Sequence, residues 1–154
     1  MMRTYGVKAA IPVFVCDALK GVIAVLLSGL ITDKTPIAVL LSSVAVVVGH
    51  NWPITIRFKG GKGIATTLGV GLALAPIPTL CALALALLIM VVFKMISLGA
   101  LIGLVSVATI FALSSQSAYK TISMVILLVL GFLQHRENIK RLLKGTERKV
   151  GENR

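Results

Sequence analysis

Two cysteines in 154 residues leave no disulfide framework to read. Cys16 and Cys81 lie far apart inside apolar segments, without metal-ligand spacing, and read as small core residues. Acids are scarce as well: five Asp and Glu stand against sixteen Lys and Arg, for a net charge of +11. Aromatics make up only 5% of the chain. Trp52 and Phe58 alone lie near the central basic cluster, so no nucleic acid is expected as the partner of this charge. No Ser–His–acid or Cys–His pattern announces a covalent mechanism. Neither a metal site nor a cofactor is expected, and no internal repeat or low-complexity segment is present. The first apolar run is too long for a signal peptide and has no small-residue cleavage site after it.

What is present in excess is apolar surface. The hydrophobic fraction is 57% and the mean hydropathy +0.99, and apolar runs of helical length recur along most of the chain. This composition predicts an all-α, polytopic transmembrane bundle in a single domain spanning 1–154. A basic membrane face would attract anionic lipid, at about 1 kcal/mol per surface Lys or Arg.

The first segment, about Ala9 to Ile31, is long enough to span and carries Asp17 and Lys20 on one helical face. Charges at that depth face the bundle interior or a wet cavity. They read as a self-neutralising structural pair, with a direct substrate role as the alternative. Pro36 opens a second, shorter segment that borrows length from Trp52 and Pro53. Ile64 to Phe93 then runs uncharged, interrupted by Pro76 and Pro78, which make a straight helix untenable.

Charge distribution decides how that stretch is divided. If it is two segments meeting at Ala75–Thr79, there are six spans and both termini are cytoplasmic. One side then holds Arg3, Lys8, Arg57, Lys59, Lys62, Lys94 and the seven cations of the tail, the other Lys34 and Lys120. A single segment would break the positive-inside rule. The fifth span, Met95 to Leu113, carries a stripe of small residues (Ser97, Gly99, Gly103, Ser106) suited to close packing. The sixth, about Tyr119 to Leu133, leads into a basic stretch over 134–154. There Ile139, Leu142 and Leu143 suggest an amphipathic surface helix, against the alternative of a plain solvated tail.

The polar stretch GHNWPITIRFKGGKGIATT, Gly49 to Thr67, gathers one histidine, three cations and the glycines Gly60, Gly61 and Gly63, with no acid. Glycines let backbone N–H groups approach a ligand, and a helix starting there favours an anion. Lys62 adds a point charge suited to phosphate. A basic cytoplasmic loop merely turned by its glycines is the plainer alternative. The nucleotide P-loop is excluded, because Lys62 is followed by Gly63 and the glycine spacing fails. No strand precedes a dinucleotide fingerprint either.

GHNWPITIRFKGGKGIAT and QHRENIKRLLKGTE together resemble the second and third motifs of the bacterial acyl-phosphate:glycerol-3-phosphate acyltransferases. CDALKG, in the first segment, is similar to that family's second transmembrane helix. The resemblance covers essentially the whole chain and implies a seven-span inner-membrane enzyme of phospholipid synthesis. Six of its spans are represented here. An earlier helix and a Ser-, Gly- and Asn-rich first motif carrying an Arg would precede Met1, and Gln134 stands where the family usually has a cation.

By motif position, the resemblance implies phosphate and substrate binding by His50, Lys59, Gly60, Gly61, Lys62 and Gly63. It implies catalysis at the glycerol side by His135 and Asn138, and a structural role for Glu147. The expected partners are acyl phosphate, glycerol 3-phosphate and membrane lipids. The acceptor proton would pass to the donor's own phosphate or to a histidine. A small transporter using Asp17 and Lys20 as a relay, or an inactive truncated paralogue, are the alternatives. A transporter would gather its polar groups at mid-membrane, whereas here they cluster toward one surface.

Overall fold

The computed structural model describes residues 2–114 and 116–151, with side chains from Lys8 onward. Two of the cations counted above, Arg3 by its side chain and Arg154 entirely, lie outside the described residues. Among the described residues seven α-helices follow one another: α1 Met2–Ile31, α2 Pro36–Asn51, α3 Ile64–Leu74, α4 Pro76–Phe93, α5 Ile96–Leu113, α6 Ala118–Gln134 and α7 Arg136–Leu143. A short 3-10 turn, Ile54–Ile56, sits between α2 and α3. The chain divides into two compact units, Met1–Ala75 and Pro76–Arg154.

In the first unit α1 is the central helix, packed on both α2 and α3. The α1–α3 contact depends on glycine. A Cβ on Gly69 would collide with the Ala18 carbonyl, and one on Gly21 with the Thr66 carbonyl. Without side chains there, the two backbones approach closely, as expected where lipid supplies no hydrophobic drive and packing must hold helices together. α1 ends at a turn in which Asp33 and Lys34 both take positive φ. The Lys34 N–H donates to the Gly29 carbonyl at 2.7 Å. Pro36 then starts α2 at a position where its missing N–H is no loss.

The expected break between α3 and α4 falls at Ala75, whose extended backbone (φ −158°) is the conformation a following proline favours. Pro76 and Pro78 do not kink a helix; they occupy the first turn of α4, where no intrahelical donor is required.

In the second unit α4 and α5 form a hairpin through Lys94, at φ 55°, and Met95. A Cβ on Gly99 would lie 2.6 Å from the Ala86 carbonyl, so this member of the small-residue stripe sets the close approach to α4. α6 packs on α5, with Gly131 fitted against Leu104, and Phe111 and Leu127 are fully buried. The chain bends by 66° between α6 and α7.

Large apolar side chains remain exposed along α1, α2, α4 and α5, as in a protein whose outer surface meets lipid. Among the described residues four segments are long and apolar enough to cross a membrane: Lys8–Ile31, Pro36–Ile56, Pro76–Phe93 and Ile96–Leu113. The bent pair α6–α7 would make a fifth. α3 occupies the expected third segment but has 11 residues. That is about 16 Å of helix against about 30 Å of hydrocarbon. Apolar helices thus stand at all six expected places, but α3 is too short to cross unaided and α6 is long enough only together with α7.

Candidate active site

The glycine loop is built from its neck outward. The N–H groups of Gly60 and Gly61 donate to the Asn51 and His50 carbonyls, both at 3.2 Å. Between these rungs the chain reverses through Pro53, whose carbonyl accepts from Phe58 N–H at 3.0 Å. Arg57 and Phe58 both take positive φ, 53° and 59°. Non-glycine residues in that region carry backbone strain that the surroundings must hold in place, a feature that concentrates at functional sites.

This geometry refines what the glycines do. Gly60 and Gly61 use their N–H groups to close the loop, so neither offers that donor to a ligand. Their requirement is close approach: a Cβ on Gly60 would strike the His50 carbonyl, and one on Gly61 the His50 ring at Nε2. Gly63, at φ 76°, caps α3 in the left-handed region, and its carbonyl accepts the first helical bond from Thr67 N–H at 2.7 Å. The amides of the first turn that follows, Ile64 to Thr66, have no partner within their own helix. They form the electropositive end the loop presents. Lys59 and Lys62 lie exposed on the same loop.

His50, the last basic residue of α2, joins the loop to α1. Lys20 Nζ lies 2.6 Å from Asp17 Oδ1 and 2.6 Å from His50 Nδ1. Asp17 and Lys20 are indeed an ion pair three residues apart. They do not, however, form a closed pair: they hold a histidine thirty residues further on, which itself underlies Gly61.

The second cluster forms where α6 breaks. His135 is 2% exposed and ends α6; its backbone N–H donates to the Gly131 and Phe132 carbonyls. Its ring Nδ1 lies 2.8 Å from the same Gly131 carbonyl. A carbonyl only accepts, so Nδ1 carries the proton and Nε2 the lone pair. Three residues on, Asn138 Nδ2 donates to Glu147 Oε1 at 2.9 Å. Ser97 Oγ donates to that oxygen at 2.7 Å, and Arg141 Nε to Oε2 at 2.8 Å.

Burial alone would push the Glu147 pKa up. The three hydrogen bonds and the Arg141 charge outweigh it and hold the carboxyl below the ordinary glutamate value. The chain beyond α7 is thereby folded back: Val150 N–H donates to the Lys94 carbonyl at 2.7 Å. The expected amphipathic helix is present and takes in Ile139, Leu142 and Leu143. α7 covers Arg136–Leu143, buries the polar Asn138, and leaves Leu143 exposed.

The family model described as Glycerol-3-phosphate acyltransferase matches residues 1–145. The glycerol-3-phosphate acyltransferase of Thermoanaerobacter sp. (strain X514) is 45% identical over 152 residues, covering 99% of this chain and 76% of the relative. That of Clostridioides difficile (strain 630) is 41% identical over 156 residues, covering 99% and 76%.

The chain belongs to the glycerol-3-phosphate acyltransferase family.

Its fold agrees. The crystal structure of PlsY, an integral membrane glycerol 3-phosphate acyltransferase, in the glycerol 3-phosphate form superposes with a TM-score of 0.92 at 31% identity. The match covers 97% of this chain and 75% of that one. The lysophosphatidic acid form matches equally well. As a family member the chain is an integral membrane acyltransferase of phospholipid synthesis, all-helical as expected. Within the first unit the acyltransferase fold brings together Asp17, Lys20, His50 and Gly61. Within the second it brings together Asn138 and Glu147, with His135 at the bend beside them.

Sequence patterns missed four contributors. Ser97 and Arg141 reach Glu147 across 50 and 6 residues. Asn51 latches the loop by its carbonyl, while its carboxamide, 2% exposed and set against Gly63, has no partner among the described residues. The fully buried Thr66 hydroxyl is likewise unpaired among them. The only advance signal was the placement of Asn51 and Thr66 inside the glycine-loop motif.

Proposed function

We propose that 1–154 works as one acyltransferase domain. It moves a fatty acyl group from acyl phosphate to a hydroxyl of glycerol 3-phosphate, giving 1-acylglycerol 3-phosphate and inorganic phosphate. The hydroxyl oxygen bonds to the acyl carbon, the carbon–oxygen bond to phosphate breaks, and the hydroxyl proton ends on the departing phosphate. Because acyl phosphate already carries a good leaving group, positioning and charge stabilisation suffice and no enzyme nucleophile is needed. Lys62, with Lys59 and the first turn of α3, anchors phosphate. His135 takes the acceptor hydroxyl.

The observation that carries this reading is the 2.8 Å contact from His135 Nδ1 to the Gly131 carbonyl. It makes Nε2 a hydrogen-bond acceptor of fixed orientation, the form needed to align a hydroxyl for attack. Asn138, three residues beyond His135, is oriented by Glu147. The excess of Lys and Arg in the loop and tail supports a bacterial inner-membrane location with both termini in the cytoplasm.

The test is acyl transfer by the purified protein in detergent. It should form acylglycerol phosphate from acyl phosphate and glycerol 3-phosphate, and none when acyl-CoA replaces acyl phosphate. His135→Ala should lower turnover by about 10²–10⁴-fold. No product from folded protein, or full turnover by His135→Ala, would overturn the reading.

A further inference from the structure

Asp17 and Lys20 lie outside the glycine loop, yet they act on a side chain placed beneath it. Lys20 Nζ is 2.6 Å from His50 Nδ1, whereas Asp17 Oδ1 is 3.4 Å from the same nitrogen. The closer partner is therefore the lysine. With Asp17 at 2.6 Å, Lys20 is an ammonium, a group with three donors and no acceptor. His50 Nδ1 must then be the acceptor, and the proton of the neutral imidazole lies on Nε2. That donor end faces the loop. A Cβ added to Gly61 would meet Nε2, and would lie 2.8 Å from Cε1 and 3.0 Å from Cδ2. Only glycine leaves the ring an opening there.

We propose that Lys20, itself held by Asp17, is a positioning residue of the loop: it fixes His50 as the Nε2–H tautomer, and this N–H donates past Gly61 to an oxygen of the bound phosphate. The proposal rests on the reading that the loop holds a phosphate group. It gives Asp17 and Lys20 a part in substrate binding rather than in helix packing alone. It also puts the two histidines in opposite tautomers, His50 donating through Nε2 and His135 accepting there. Both substrates carry a phosphate, and their separate KM values tell which one the loop holds.

The experiment uses the full-length protein in detergent with ¹⁵N-labelled histidine and glycine. Long-range ¹H–¹⁵N spectra should show His50 protonated at Nε2, with that resonance shifting as inorganic phosphate is added. Lys20→Met should abolish the tautomer preference and raise KM for glycerol 3-phosphate or for acyl phosphate by roughly tenfold, leaving kcat within about twofold. The substrate whose KM responds identifies the phosphate. Lys20→Arg, which keeps a donor, should restore most of the affinity. Asp17→Asn serves as a second variant with the same KM-only signature.

Protonation of His50 at Nδ1 in the unmodified protein would overturn the proposal. So would unchanged KM values in Lys20→Met and Asp17→Asn while the loop glycine amides still respond to phosphate. Loop amides that ignore phosphate altogether would instead overturn the underlying phosphate-loop reading, and the proposal with it.

Discussion

Ser97 and Glu147, fifty residues apart, are joined by a 2.7 Å hydrogen bond at the start of α5. The same carboxylate takes Asn138 and Arg141, so one buried acid ties the segment after α7 to two helices. An acid is costly to bury unless its lone pairs are satisfied, and here three side chains satisfy them.

Glu147→Gln replaces one accepting oxygen by an NH₂ group, which must then face a donor. Arg141 is 40% exposed on its side chain, so solvent screens part of its loss. We expect a destabilisation of about 2 kcal/mol, with a larger loss for Glu147→Ala. Thermal unfolding in detergent measures both.

Acid should reveal the same group. The native pKa of Glu147 lies below its ordinary value. Its contribution is therefore complete above the ordinary glutamate range and is lost as pH falls through the lowered native value. As pH falls from the ordinary glutamate range through the lowered native value, the unmodified protein should lose stability more steeply than Glu147→Gln, and the gap between the two should narrow. Parallel curves would remove Glu147 as the cause.

Gly61→Ala drives a methyl group into the His50 ring, whereas Gly49→Ala, on α2, adds a methyl with nothing within 4 Å. The first should lower kcat/KM by at least about tenfold and the second should leave it unchanged. Steady-state kinetics on the pair separates loop geometry from general intolerance of alanine.

Gly69→Ala places its methyl on the Ala18 carbonyl, a backbone atom that cannot swing away. Separation of α1 from α3 should destabilise the protein by about 1–3 kcal/mol. A thermal shift in detergent checks this, with Gly49→Ala as the unaffected reference.

The helices were legible because each is announced locally. Pro76 and Pro78 marked the break that the chain makes at Ala75, and Pro36 marked the start of α2. The site was legible only in its parts list. Nothing local says that Lys20 reaches His50 across thirty residues, or that Gly60 and Gly61 turn their N–H groups inward to His50 and Asn51. The tail was legible in part: Ile139, Leu142 and Leu143 have helical spacing and lie in α7. The contacts from Ser97, Asn138 and Arg141 to Glu147, which hold the chain after that helix, join residues too far apart for a local pattern to announce.

The glycine loop also read as a free-standing connection, and its contacts tie it to α1. Lys20, which reaches His50 beneath the loop, lies eleven residues before the end of α1 at Ile31. The remaining stretch to Ile31 is about 16 Å, the same length as α3, whose N-cap closes the loop. α3 is therefore as long as the part of α1 beyond Lys20, and the loop before it is tied to the interior of α1 through His50 rather than to the end of that helix.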